Sequence, residues 1–398
     1  MLLCLLLLLF LPDKRIPGMT TEASASEPAR KRPSRWHRPM WWLNALAVGV
    51  LLLTYLAPHA SPAYFWPLAL LAMTFPFQLA VNAFFLLWWL FFRRKRMLLS
   101  GVALLLGWGH ITDHVQLFGR DAPDAEVRGT PVKLMSYNVR LFDLYNWNNN
   151  KRSRDAIFTV LHREDADILC LQEFFQSSDK RYFRTKDALM REFRYKAVHE
   201  SYSHRARYDQ HFGIATFSVH PIVAKGRISF PDNPNNLCIW SDIVIAKDTI
   251  RVYNAHLASY HFGDEDYKFL DALDTDTKAD SIRSGTVRIA RRLRRGVSLR
   301  AKEVARIAEH MAASPHPVVY CGDMNDVPMS YAYSILSEGL EDAFVESGRG
   351  LGGTYLGKLP KLRIDHILHS PSIASWSFRT LPDQLSDHSA VECMIAVR

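Results

Sequence analysis

The sequence predicts an α/β domain on a mixed β-sheet, carried behind an N-terminal helical membrane region. Three observations point there. Residues 39–92 and 97–112 contain no Asp, Glu, Lys or Arg. From Val132 onward, short runs rich in Val, Ile, Tyr and Phe alternate with stretches whose apolar residues recur every three or four positions. Two of the strand-like runs, 239–246 and 249–257, are joined only by Lys247 and Asp248, a hairpin link that a purely parallel sheet does not use. With 398 residues, 48% of them hydrophobic and 22% charged, the chain is not disordered, collagen-like or a small disulfide scaffold.

The first element is an apolar leader followed by a basic segment, residues 1–40. Residues 1–11 lack a basic start, and Asp13, Lys14 and Arg15 follow with no small-residue cleavage site. Met19 opens a polar, then basic, then apolar order that is self-consistent as a start. A membrane span needs about 17–25 apolar residues. The region 41–111 offers three candidate helices: 41–57, 64–92 with Pro76 as a kink, and the short 97–111. Seven of the ten Trp fall between residues 36 and 108, mostly near segment ends, as in interfacial belts. Arg30, Lys31, Arg32, Arg35 and Arg38 precede the first span, and Arg93, Arg94, Lys95 and Arg96 follow the second. The positive-inside rule puts both clusters in the cytoplasm. If 97–111 crosses, everything after it is extracytoplasmic; if it is re-entrant, the rest is cytoplasmic.

The net charge of +9 belongs to this region. Residues 1–112 hold 11 Lys/Arg against 3 Asp/Glu, leaving 38 against 37 for the remainder. A nearly neutral C-terminal domain weakens any argument from charge to nucleic-acid binding. Cys170, Cys321 and Cys393 sit in strand-like runs and read as small buried hydrophobes, and no zinc spacing occurs.

After a polar linker, 112–130, the domain 131–398 begins. Its strand-like runs are 132–139, 167–172, 212–218, 239–246, 249–257, 318–322, 363–369 and 390–397. Residues 151–163 and 299–313 carry helical periodicity. The polar residues at strand ends are the informative ones: Asn138, Glu173, His256, Asp323 with Asn325, Asp365, and Asp387 with His388. Carboxylates, amides and imidazoles at the ends of core strands are where a sheet fold builds a site. Their chemistry suits hydrolysis of a phosphate ester, which needs a hard cation, a positioned water and donors for the phosphate oxygens. No P-loop, HExxH or GxSxG motif is present.

Six segments then carry a resemblance: Met135-Ser-Tyr-Asn-Val139, Leu171-Gln-Glu173, Asn254-Ala-His-Leu257, Gly322-Asp-Met-Asn325, Arg363-Ile-Asp-His366 and Ser386-Asp-His388. In this order, over residues 132–398, they resemble the endonuclease/exonuclease/phosphatase superfamily, and together with the spans a membrane-anchored bacterial subgroup of it. The resemblance implies a four-layered α/β sandwich, two mixed sheets face to face with helices outside. It implies Mg2+ or Mn2+ held by Glu173, Asn138 and Asp387, with Asp323 activating water and Asn325 fixing the phosphate. His388 would form a dyad with Asp365, and His256 would donate to a phosphate oxygen or the leaving group. Residues 353–355 would lie near the pocket.

The connection 256–299 is acidic in its first half (Asp264, Glu265, Asp266, Asp271, Asp274, Asp276, Asp280) and basic in its second (Arg283, Arg288, Arg291, Arg292, Arg294, Arg295). It is either a solvated helix and loop or an element meeting headgroups or an anionic substrate. Three functions follow. The favoured one is a metal-dependent phosphoesterase, multi-pass in the bacterial cytoplasmic membrane with its catalytic domain outside, acting on a phosphodiester or phosphomonoester such as a lipid headgroup. The others are a membrane-tethered nuclease and a non-catalytic membrane binding module.

Overall fold

All eight runs expected as strands are strands in the structure, a computed structural model that describes residues 37–123, 127–147, 152–179, 181–260, 262, 265–266, 279–357 and 360–398. The leader, the start at Met19 and the basic residues 30–35 lie outside the described residues, as do Asp264, Asp271, Asp274 and Asp276. Leu43–Arg398 forms one compact unit.

The described strands are β1 (Val132–Asn138), β2 (Ile168–Ser177), β3 (Ala197–Ala206), β4 (Gln210–Ser218), β5 (Ile222–Ser229), β6 (Leu237–Ile245), β7 (Asp248–His256), β8 (Val318–Asp323), β9 (Glu341–Asp342), β10 (Asp365–His369), β11 (Ile373–Thr380) and β12 (Val391–Val397). They form two six-stranded sheets, ordered β11-β12-β1-β2-β4-β3 and β5-β6-β7-β8-β10-β9. Both are mixed: β1 runs parallel to β2 but antiparallel to β12, and β7 runs parallel to β8 but antiparallel to β6.

Three apolar layers make the sandwich. Leu134, Ile168 and Cys170 of the first sheet meet Val252, Val319, Cys321 and Ile367 of the second between the sheets. Met135, Leu169 and Leu171 point the other way, under Ile157 and Leu161 of the helix Ser153–Glu164. Tyr253 and Tyr320 lie under Val304 and Ile307 of the long helix Ala279–Ala312. Strands covered on both faces read as continuous apolar runs, which is why their sequences show little alternation. All four cysteines among the described residues are buried and unpaired, Cys238 included. A polar bridge also ties sheet to sheet: Gln172 Nε2 donates to Asn254 Oδ1 at 2.7 Å and to Ser136 Oγ at 3.1 Å.

The N-terminal region differs from expectation in its breaks. Two helices, His37–His59 and Phe75–Phe92, are long and apolar enough to cross a membrane. The stretch expected as one long span from 64 is instead Pro62–Phe65, Pro67–Met73 and Phe75–Phe92, with turns at Trp66 and Thr74. The stretch 97–111 is divided at Gly107 into Met97–Leu106 and Trp108–His114. Gly107 is forced to be small, because a Cβ there would come to 2.1 Å of the Tyr55 hydroxyl. Polar side chains join these helices where no charge is available. Ser100 Oγ donates to Asn44 Oδ1 at 2.6 Å, all of Asn44, Asn82 and Ser100 being fully buried, and Thr54 Oγ1 donates to Gln78 Oε1 at 2.8 Å.

Candidate active site

The strand ends set the site. Parallel pairing puts His256 beside Asp323, and antiparallel pairing puts Asp365 on the other side of Asp323. Three chemistry-bearing residues thus stand in one row on the second sheet. The first sheet faces them with Asn138 at the end of β1 and Glu173 in β2. At Glu173 the β2–β4 register shifts and its φ is +48°, so a bulge turns its carboxylate into the site. Asn325 also has positive φ, +55°. Gly322 opens the way: with φ of +154°, a Cβ there would come to 2.1 Å of the Ala255 carbonyl, so only glycine permits this strand pairing.

Asp323 is the hub. Its Oδ2 accepts from Asn138 Nδ2 at 3.0 Å and its Oδ1 from the Asn325 amide at 2.8 Å, while His256 Nε2 and His388 Nε2 each stand 3.6 Å from Oδ2. Asp365 Oδ2 bonds His388 Nδ1 at 2.8 Å. Burial works against a charged His388, but Asp365, Asp323 and Asp387 outweigh it and hold its pKa well above the usual 6.5. Its protonated form then donates through both nitrogens. Thr354 Oγ1 accepts from the Asp365 amide at 3.2 Å, so the 353–355 stretch does support the dyad, and Tyr355 sets its ring edge-on to His388 at 5.7 Å. Ser386 Oγ donates to the Asn138 carbonyl at 2.8 Å, anchoring the loop that carries Asp387 and His388.

All eight expected site residues therefore converge. Glu173, His256, Asp323, Asn325, Asp387 and His388 line a single cavity, and Asn138 and Asp365 stand directly behind Asp323. The sequence model of the Endonuclease/Exonuclease/phosphatase family matches residues 135–388. The chain belongs to this family. A domain of unknown function matches residues 37–114. No curated protein matches the chain. An endonuclease/exonuclease/phosphatase protein from Bacteroides thetaiotaomicron is 18% identical, covering 68% of this chain and 99% of its own, with a TM-score of 0.50. A mannosyl-6-phosphatase from the same species is 18% identical over 67% and 99%, with a TM-score of 0.47. The human Nocturnin catalytic domain is 17% identical over 69% and 97%, with a TM-score of 0.48. At these identities the likeness concerns the fold, and the B. thetaiotaomicron protein shares it.

Family membership supports a hydrolase of phosphate esters that uses a divalent metal. The donors present fit such an ion: the carboxylates of Glu173, Asp323 and Asp387 line the cavity, Asp323, Asp365 and His388 bring ligand atoms within 4.8 Å of one another, and hard oxygens are what Mg2+ takes. Glu173 is paired with no Lys or Arg among the described residues, its nearest ionic partner being His256 Nε2 at 3.8 Å. Two of the expected ligands are otherwise engaged as well. Asn138 Nδ2 donates to both Glu173 Oε1 and Asp323 Oδ2, at 3.3 and 3.0 Å, while its Oδ1 accepts from the Arg140 backbone amide. Asp387 Oδ2 stands 3.3 Å from Arg140 Nε.

Arg140 escaped the sequence reading. It opens a turn, Arg140–Asp143, whose four residues all have positive φ, and no glycine advertises it. Met73, Tyr260 and Phe262 also line the cavity, from segments that carry no motif. The basic run after residue 283 is neutralised only in part, Arg291, Arg294 and Arg295 being exposed. Arg288 and Arg292 share Asp266, at 2.7 and 3.1 Å; buried Arg300 pairs with Asp326 at 2.9 Å; Lys302 pairs with Asp232 at 2.7 Å.

Proposed function

We propose that the chain is a membrane-anchored phosphoesterase dependent on Mg2+ or Mn2+, with an anchor at 41–111, a linker at 112–130 and a catalytic domain at 131–398. The observation that carries this reading is the row Asp365–His388–Asp323, its first link a hydrogen bond of 2.8 Å and its second an ionic contact at 3.6 Å, flanked by His256 and Glu173 around one cavity. Asp323 takes a proton from the attacking water and aligns it. Asp365 keeps the His388 imidazole oriented and protonated, so that His388 donates to a phosphate oxygen. His256 donates to a second oxygen or to the departing alkoxide, and Asn325 fixes the phosphate. Glu173, Asn138 and Asp387 would hold the ion, which supplies positive charge against the phosphate oxygens when bound. Chelation with EDTA is expected to abolish hydrolysis and Mg2+ or Mn2+ to restore it, and Glu173→Gln should raise the metal concentration giving half-maximal rate. Full activity in EDTA would refute the assignment. DNA belongs in the same substrate panel. The near balance of 38 Lys/Arg against 37 Asp/Glu after residue 112 ranks the nuclease reading second.

Placement of the catalytic domain outside the cytoplasm has geometric support. Met97–Leu106 and Trp108–His114 together return beside Phe75–Phe92: the chain turns at Arg94–Arg96, and His114 ends against Phe75 with ring centroids 4.8 Å apart. Their seventeen helical residues rise about 26 Å, close to the thickness of a bilayer core. Arg363 Nη2 then donates to the Asp113 carbonyl at 2.8 Å, so the catalytic domain joins the end of the bundle opposite the basic Arg94–Arg96 turn. Alkaline phosphatase fused after Arg398 should be active, and a fluorescent protein that matures only in the cytoplasm should stay dark. The reverse pattern would put the domain inside.

A further inference from the structure

We propose that the phosphate ester hydrolysed here is carried on a membrane lipid, whose apolar chain lies along a wall of the cavity built jointly by the anchor and the catalytic domain. This rests on the phosphoesterase reading above and names its substrate class.

The cavity measures about 200 Å3 and is lined by two unlike sets of side chains. One is the polar floor of Glu173, His256, Asp323, Asp387 and His388. The other is apolar: Met73, Tyr260, Phe262, Val327, Leu362 and Ile364. Met73 ends the helix Pro67–Met73, which lies in the chain between the two helices apolar enough to cross a membrane. A residue of the anchor thus stands in the wall of the catalytic cavity.

That wall is held in place. Tyr260 Oη donates to Met73 Sδ at 3.4 Å and accepts from Arg300 Nη2 at 2.7 Å, and the Arg300 guanidinium lies 4.8 Å from the Tyr260 ring centre. Arg300 is fully buried and is itself fixed by Asp326 and by the Ala258 carbonyl. Gly296, on the same helix, makes the space: a Cβ there would come to 2.9 Å of the Tyr260 ring. The Phe262 ring stacks on Tyr260 with centroids 5.7 Å apart. The helix Pro62–Phe65 also belongs to this junction, through Ser298 Oγ and the Pro62 carbonyl at 3.5 Å, and its Tyr64 and Phe65 are exposed. Exposed aromatics of this kind suit the headgroup level of a bilayer.

Ser259, Asn325, Asp326 and Tyr355 line the cavity too, but the six apolar side chains, whose one hydroxyl, that of Tyr260, is already engaged, offer a hydrocarbon chain a contact that a small soluble phosphate leaves unused. A hydrocarbon chain gains about fourfold in binding for each methylene buried there. The chemistry is unchanged. The water oxygen bonds to phosphorus as its proton passes to Asp323. The bond from phosphorus to the leaving alcohol oxygen breaks, and that oxygen keeps the electron pair and takes a proton from an imidazolium.

The test uses the full chain in phosphatidylcholine nanodiscs with Mg2+. Two substrate series serve as probes: methyl, octyl and hexadecyl p-nitrophenyl phosphates, and the same three alkyl phosphates as monoesters. Within each series the charge and the reacting bond are constant. The proposal expects kcat/KM to rise at least about 100-fold from methyl to hexadecyl in one series. Met73→Asp should cut that preference at least tenfold, Phe262→Ser should cut it too, and Met73→Leu should keep it. Equal kcat/KM along the active series overturns the lipid assignment and leaves the phosphoesterase reading standing. So does a preference that Met73→Asp and Phe262→Ser leave intact, since partition into the bilayer alone would then explain it. Hydrolysis of neither series by the wild-type chain overturns both.

Discussion

Asp323→Asn and His388→Gln are each expected to lower turnover by about 10²–10⁴-fold with little change in folding, the scale of removing a general base or a transition-state donor. Asp323 is buried and touches everything that matters: Asn138 at 3.0 Å, the Asn325 amide at 2.8 Å, and both imidazoles at 3.6 Å. Asn in its place keeps the shape and cannot accept the proton of water. Gln for His388 removes an imidazole whose Nδ1 bonds Asp365 at 2.8 Å and whose Nε2 is aimed at Asp323. Because the two act as a unit, the double variant should lose far less than the product of the single losses. The measurement is kcat on a phosphate ester for the three variants, with circular dichroism and thermal unfolding as the folding check. A single variant that keeps more than half of wild-type kcat would remove that residue from the mechanism.

The strands readable in the sequence and those that were not divide along a physical line. The eight anticipated strands are the interior ones, β1, β2, β4, β6, β7, β8, β10 and β12. The four missed strands, β3, β5, β9 and β11, are the four edges of the two sheets. Interior strands are buried on both faces and must be apolar. Edge strands avoid further pairing, and two of them face water in part: β3 carries Glu200, His204 and Arg205, and β5 carries Lys225 and Arg227. The site was legible for a related reason. Most of its residues are polar groups at or just past the ends of interior strands, and Glu173, at a bulge inside β2, follows an apolar run in the same way, which makes each one conspicuous. Arg140 and the Met73–Tyr260 wall were not legible, because a positive-φ turn without glycine has no sequence signal and a contact between segments far apart in the chain has none either. The division of 97–114 at Gly107 belongs with these, since the size limit there is set by Tyr55 of another helix.

Asp342→Asn should destabilise the catalytic domain by about 3–5 kcal/mol, on the order of 10 °C in melting temperature, because it strips the partner from a buried guanidinium. Asp342 and Arg363 are both buried and pair at 2.7 Å. Tyr333 Oη donates to the same carboxylate at 2.8 Å, as does the Phe344 amide, and Arg363 Nη1 stands 3.0 Å from His366 Nδ1. His366 in turn reaches the Asp326 carbonyl at 3.0 Å, below the cavity wall. Arg363 and His366 flank Asp365 in sequence, which explains why arginine and histidine accompany the catalytic aspartate: they lock the start of β10 in register with β8. Burial alone would raise the Asp342 pKa, but Arg363 and His366 outweigh it and hold the carboxyl well below the usual carboxylate range. A carboxylate with a depressed folded pKa contributes stability that is present above its unfolded value, about 3.9, and is lost as pH falls toward the folded one. Thermal unfolding should therefore show a gap between wild type and Asp342→Asn that holds from pH 7 to about pH 4 and narrows below it. A gap that widens on acidification, or an Asp342→Asn protein as stable as wild type at pH 7, would show that the network is not what braces the catalytic strand.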